Sequence, residues 1–230
     1  NSIHCYRGQK KRLTDLEEGV NDPAIFKAVF LAGGPGSGKS FIAKNVAFVS
    51  LGYKIINTDD AYEYLAKKSN IDLTDPDALA STDGQATRQR AKALTDIKQQ
   101  SFLDGRLGVV IDGTGKDYDK IEHLSGELRK IGYDCAMVFV NTDLDTALER
   151  NAKRDRRLPN ELVTKMWKSV QTNIGKFHNF FGRNMFVVDN SNNESLKGVL
   201  LSMYRRMKAY TETPHTNPVA KAWIKTQQGK

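Results

Sequence analysis

Ala28-Val-Phe-Leu-Ala-Gly33-Gly34-Pro35-Gly36-Ser37-Gly38-Lys39-Ser40 is the stretch on which the reading of this chain turns. Gly33 and Gly38-Lys39-Ser40 fit the spacing G-x-x-x-x-G-K-[ST], and both flanks suit it. An apolar, β-branched run precedes the loop. A helical pattern of Phe41, Ile42, Val46 and Val49 follows it. Glycines let successive backbone N–H groups turn inward around phosphate oxygens, at a helix start that favours negative charge. The pattern assigns Gly33, Gly34, Pro35, Gly36, Ser37, Gly38, Lys39, Ser40 and Phe41 to nucleotide binding. Lys39 is expected to reach the β- and γ-phosphates, and the Ser40 hydroxyl to ligate magnesium. A glycine-rich turn without a ligand would need neither the lysine nor the hydroxyl at these spacings.

Outward from the loop, strand and helix patterns alternate, which predicts a parallel sheet with helices on both faces. Strands are expected at Ala28–Ala32, Tyr53–Asn57, Leu107–Asp112, Asp134–Val140 and Met185–Val188. Helices are expected at about 41–50, 60–69, 85–104, 117–131, 143–156, 160–181 and 193–209. Leu162, Met166, Val170, Ile174, Phe177 and Phe181 mark one face of the 160–181 helix, and Gly182 stops it. The fold class is therefore α/β: a three-layer αβα P-loop NTPase resembling nucleoside kinases, with a five-stranded, mostly parallel sheet and an arginine-rich lid. It occupies residues 25–209, between a basic N-terminal extension, 1–24, and a basic C-terminal tail, 210–230. Ile71 to Gly84 reads as an acidic loop, and the tail as a mobile or peripherally docked arm.

The net charge of +8 over 230 residues suits a polyanionic partner, and nucleic acid is the expected one. No apolar run approaches a membrane span, so no membrane partner is expected. Cys5 and Cys135 lack metal-ligand spacing. Cys135 reads as a buried small hydrophobe, and a reducing, cytoplasmic compartment is the simplest expectation. His4, His123, His178 and His215 stand apart from one another in the chain and receive no role.

Chemistry is expected beyond the carboxyl ends of the strands. Ile55-Ile56-Asn57-Thr58-Asp59-Asp60 ends the second strand. One carboxylate there can take the proton of an attacking hydroxyl while the other caps the next helix or holds substrate. The residues alone leave open whether Asp59 or Asp60 is the base, with the other as cap or substrate ligand. The third strand ends in Asp112, the position of a magnesium-holding acid, followed by Thr114 as a donor to substrate. After the fourth strand, Arg150 and Arg154 lie four apart, which on one helix face would let both close over a transferring phosphoryl group. Arg88 is a further candidate for the acceptor.

Taken together, residues 28 to about 182 resemble the P-loop kinases grouped with phage polynucleotide 5′-kinase and the zeta toxins. The tail Pro35-Gly-Ser-Gly-Lys-Ser40 is that of the polynucleotide kinase loop. Ile56-Asn57-Thr58-Asp59-Asp60 is similar to Ile-Asn-Arg-Asp-Asp, whose first Asp is the general base, which implies Asp59. Arg150-Asn151-Ala152-Lys153-Arg154 resembles Arg-Asn-Ser-Lys-Arg, whose last Arg belongs to the lid, which implies Arg154. Tyr62 departs from the pattern, since polynucleotide kinase has there an arginine used against the acceptor's phosphate. Asp112-Gly113-Thr114 is instead similar to the zeta-toxin pattern, whose members phosphorylate a UDP-activated amino sugar. Phage kinases of hydroxymethylated pyrimidines in DNA are a third group of relatives. The resemblance implies an enzyme using ATP and Mg2+ to phosphorylate a hydroxyl on nucleic acid, with DNA preferred, either a 5′ end or a hydroxymethylated pyrimidine base. The alternatives are a nucleotide-sugar kinase and, from another class, a nucleotide-dependent switch or motor ATPase.

Overall fold

The computed structural model describes residues 20–46, 48–154, 157–191 and 196–229. Among them, five strands form one sheet: β1 (Lys27–Ala32), β2 (Lys54–Ile56), β3 (Val109–Asp112), β4 (Asp134–Asn141) and β5 (Met185–Asp189). The order is β2-β3-β1-β4-β5, and every pairing is parallel. All six residues of β1 are buried, as a central strand covered on both faces requires. Its side chains alternate between two cores. Val29 and Leu31 face one, with Ile42, Phe48, Met203 and Met207. Ala28, Phe30 and Ala32 face the other, with Leu128, Val170, Phe177 and Ala220.

The first core is covered by α1 (Lys39–Asn45) and α8 (Leu196–Glu212). The second is covered by α5 (Tyr118–Lys130), α7 (Asn160–Phe181) and α9 (Pro218–Gln228). Three helices, α2 (Thr58–Lys68), α3 (Pro76–Ala80) and α4 (Thr82–Asp104), lie between β2 and β3 in the chain, and α6 (Leu144–Ala152) follows β4. Register brings the carboxyl ends together. Leu31 pairs with Asp112, Ile56 with Ile111, and Asn141 with Asp189, so the loops after all five strands share one edge.

Several boundaries differ from the sequence reading. The helix after the loop ends at Asn45, and Phe48–Leu51 forms a 3-10 turn before Gly52, whose φ of 95° turns the chain into β2. Val49 is therefore exposed rather than on a helical core face, while Phe48 is buried. On α7 the buried set is Val163, Val170, Asn173, Phe177 and Phe181; Leu162 lies one position off the stripe and is 40% exposed. Gly182, at φ 53°, ends this helix as expected. Part of the acidic segment is helical: Asp75 caps α3 and Ser81 caps α4.

The segment expected as a tail folds as well. Asn217 caps α9 through Val219 N–H and donates from its side chain to Arg129 O at 2.8 Å. Ala220 is fully buried, and the Trp223 ring meets Phe26 edge-on at 5.4 Å. Its spacing of Ala220, Trp223 and Ile224 is an amphipathic stripe of one helix, too short to stand out by sequence alone. Ala24–Phe26, at the border of the expected extension, are core residues too. Cys135 is buried and unpaired; Cys5 and His4 lie outside the described residues. Among the described residues no helix is long and apolar enough to cross a membrane.

Candidate active site

The loop between β1 and α1 is fixed by close packing and by three hydrogen bonds. Gly33 N–H donates to Thr114 O at 3.2 Å, tying the loop to the segment after β3. Gly36 and Gly38 have φ of 75° and 81°, a region disfavoured for other residues. A Cβ at Gly36 would strike the Ala147 backbone of α6, and one at Gly38 would strike the Asn190 amide. Those same neighbours hold the loop. One helical turn beyond Ala147, Arg150 Nη1 donates to Gly36 O at 3.3 Å, and Asn190 Nδ2 donates to Ser37 O at 2.7 Å. Gly38 caps α1 without a side-chain hydrogen bond, so the first-turn N–H groups have no intrahelical acceptor and suit phosphate oxygens.

Lys39 leads from this loop into an ion pair with Asp112 at the end of β3, with side chains 17% and 6% exposed. The second Asp112 oxygen accepts from Asn57 Nδ2 at 3.0 Å. Asn57 also caps α2, its Oδ1 accepting from Asp59 N–H at 2.8 Å. Neither Asp59 nor Asp60 is the cap, then, contrary to one sequence reading; both stand in the first turn of α2. Burial pushes the Asp112 carboxyl above the ordinary carboxylate range. Lys39 opposes this by charge and hydrogen bond, and the Asp59 and Asp60 carboxylates reinforce it. The Asp59 and Asp60 carboxylates thus act on Asp112 from the first turn of α2.

Beside them opens a cleft of about 750 Å³ between α2 and α4. Asp59 and Asp112 line it, with Thr58, Tyr62, Arg88 and Lys92. Asp60 is not among its lining residues. The Arg88 guanidinium stacks 4.9 Å from the Tyr62 ring centre, which fixes a flexible cation at the cleft wall. Lys92 follows one turn later on α4. Thr114 lines an adjoining cavity of about 200 Å³ that shares Asp112, Ile111 and Lys120 with the larger cleft.

The arginines differ from the expected arrangement. Because α6 ends at Ala152, Arg150 and Arg154 do not share a helical face. Arg150 sits on the phosphate loop, whereas Arg154 is exposed beyond the helix, where its carbonyl accepts from Arg157 Nε at 3.2 Å. Asp155 and Arg156 lie outside the described residues. Phe41 is 42% exposed on α1. Two residues that sequence reasoning passed over are structurally central here: Asn57, which joins α2 to Asp112, and Asn190, which clamps the loop. A polar side chain directly after a strand is their shared signal, weak because such residues also shape ordinary turns.

The donors present suit a hard cation. Asp112 is a buried carboxylate held above its usual range, the Ser40 hydroxyl is exposed next to Lys39, and oxygen donors of this kind match magnesium. Among the described residues no group of three or more acidic, histidine or cysteine side chains could hold a metal.

The zeta toxin family model matches residues 11–196. No curated protein matches the chain. Among solved structures, a putative kinase from Chloroflexus aurantiacus J-10-fl aligns at 11% identity over 80% of this chain and 98% of its own, with a TM-score of 0.53. A chain of the Pnkp1/Rnl/Hen1 RNA repair complex aligns at 19% identity over 66% of this chain and 46% of its own, with a TM-score of 0.50. A gluconokinase from Sinorhizobium meliloti 1021 aligns at 17% identity over 81% and 95%, with a TM-score of 0.49. With its phosphate loop, its parallel sheet and a family match spanning most of its length, the chain is a P-loop phosphotransferase and belongs to the zeta toxin family.

Proposed function

We propose that the protein uses ATP and Mg2+ to phosphorylate a hydroxyl on nucleic acid, either a 5′ end or a hydroxymethylated pyrimidine in DNA. The observation that carries this reading is the cleft in which Asp59 and Asp112 share a space with the cations Arg88 and Lys92, next to the Lys39 loop. An acceptor that brings its own phosphates suits such a wall, and the net charge of +8 suits a polyanion.

In this scheme the loop amides and Lys39 hold the β- and γ-phosphates, and Arg150 braces the loop from α6. Ser40 and Asp112 would hold Mg2+, which screens the charge of the phosphate oxygens. Asp59 accepts the acceptor proton as the oxygen attacks the γ-phosphorus, the bond from that phosphorus to the bridging oxygen breaks and ADP leaves; Asp60, next to Asp59 in the first turn of α2, is assigned to the substrate. Arg88 binds an acceptor phosphate, and Thr114 contributes a hydroxyl from the adjoining cavity. Arg154 stabilises the charge spread over the transferring group.

A second reading is a nucleotide amino sugar as acceptor. It draws on Asp112-Gly113-Thr114, on membership of the zeta toxin family and on the bounded volume of the cleft. Transfer from γ-labelled ATP to a panel tests both. The panel holds 5′-hydroxyl DNA and RNA, DNA with hydroxymethylated pyrimidines, nucleosides and UDP-sugars. Label on DNA or RNA is the expected result, and its position identifies the hydroxyl. Label on a UDP-sugar alone would replace the nucleic-acid reading with the second one. Label released only as free phosphate would overturn both in favour of a nucleotide-dependent switch.

A further inference from the structure

At the opposite end of the sheet lies a cavity of about 400 Å³ that the phosphotransfer chemistry does not use. Lys27 opens β1 and Asp134 opens β4, so the cavity sits at the amino ends of the strands. The six residues of β1, at about 3.3 Å each, separate it from the phosphate loop by roughly 20 Å.

Its floor is charged but balanced. Lys27 is 1% exposed and donates to Asp134 Oδ2 and Thr213 O, both at 2.9 Å. His215, given no role from sequence, stands with Nδ1 3.6 Å from the same carboxylate. The rim is not balanced. Arg183 and Arg206 line it from the turn before β5 and from α8, and among the described residues neither has a carboxylate partner. Arg206 lies over the Phe186 ring, 4.9 Å from its centre, so one guanidinium is held in place by stacking. Two guanidinium forks on separate elements, above a neutral floor and beside the rings of Phe186 and Tyr210, match an anion with an organic body.

We propose that this cavity is a second ligand site, separate from the catalytic cleft, that binds a small phosphate-bearing molecule through Arg183 and Arg206. The phosphate takes the two guanidinium groups, and the remainder of the molecule rests against Phe186 and Tyr210. The volume lies within the ordinary range of small-molecule sites, roughly 300–1,000 Å³, and would be too confined for a nucleic-acid duplex.

Isothermal titration with inorganic pyrophosphate tests this on the full chain carrying Lys39→Ala, which weakens the catalytic phosphate site. Binding should persist in that protein, and adding Arg183→Gln and Arg206→Gln should weaken it by roughly tenfold or more. Replacing the same two residues by lysine should retain part of the affinity, because the charge remains while the fork is lost. Pyrophosphate affinity unchanged by the glutamine pair, or no binding once Lys39 is gone, would overturn the proposal. Circular dichroism of the glutamine variant must match the parent, and the lysine variant provides the same comparison if it does not.

Discussion

Asn190 offers the sharpest test of how the tertiary structure builds the phosphate loop. The residue is 7% exposed, and its amide donates to Ser37 O at 2.7 Å while lying against Gly38. Asn190→Ala removes the donor and leaves a buried carbonyl without that partner, a loss of about 1–3 kcal/mol. For a chain of this size each kcal/mol corresponds to about 2–4 °C in Tm, so a fall of roughly 2–12 °C is expected. The loop should also lose its fixed shape, raising KM for ATP several-fold with a smaller effect on kcat. Asn190→Asp should be worse at neutral pH, since a carboxylate would face both the Ser37 carbonyl and the phosphates. Differential scanning fluorimetry with and without ATP, alongside steady-state kinetics, measures both effects. If Asn190→Ala keeps wild-type Tm and KM, the clamp is irrelevant and the reasoning fails.

Asp59→Asn should leave ATP binding near wild type and cut phosphotransfer by roughly a hundredfold or more; if Asp60→Asn is instead the damaging change in single-turnover assays, the two carboxylates exchange roles. Arg154→Ala should lower kcat more than it raises KM for ATP, and a pure loss of ATP affinity would count against a transition-state role. Asp112 has a folded pKa raised by burial, so its contribution to stability is present below the unfolded pKa and is lost as pH rises through the raised value. The Tm of Asp112→Asn minus that of wild type should therefore increase as pH rises above about 4, and a decrease would refute the assignment of burial as the dominant cause. The same variant should lose magnesium-dependent transfer.

The parallel α/β fold and its phosphate loop are legible in the chain alone, because both are written in local terms. A strand, a glycine-rich turn and a helix contiguous in the chain must fold against one another, and alternating apolar patterns specify which faces they bury. The strand ends at Asp112 and at Asn57-Thr58-Asp59 were legible for the same reason, and the register then set those ends side by side. Helix ends were less legible. Arg150 and Arg154 suggested one continuous helical face, but α6 stops at Ala152, and the chain segment that follows reads as charged whether helical or not.

Contacts between residues far apart in sequence follow from packing instead. Asn190 meets Ser37 across 153 positions, and Asn57 meets Asp112 across 55. Arg88 reaches the cleft because α4 packs against α2 and stacks its guanidinium on Tyr62, a pairing with no signature in either segment. The helix α9 was likewise hidden: its apolar stripe is short, and it becomes a core element only because Phe26 and Gly132 form a surface that Trp223 and Ala220 can cover. Local propensity specifies the elements, but burial and hydrogen bonding between distant segments depend on how those elements pack, and that packing assembled the cleft, the clamp on the loop and the basic cavity at the far end of the sheet.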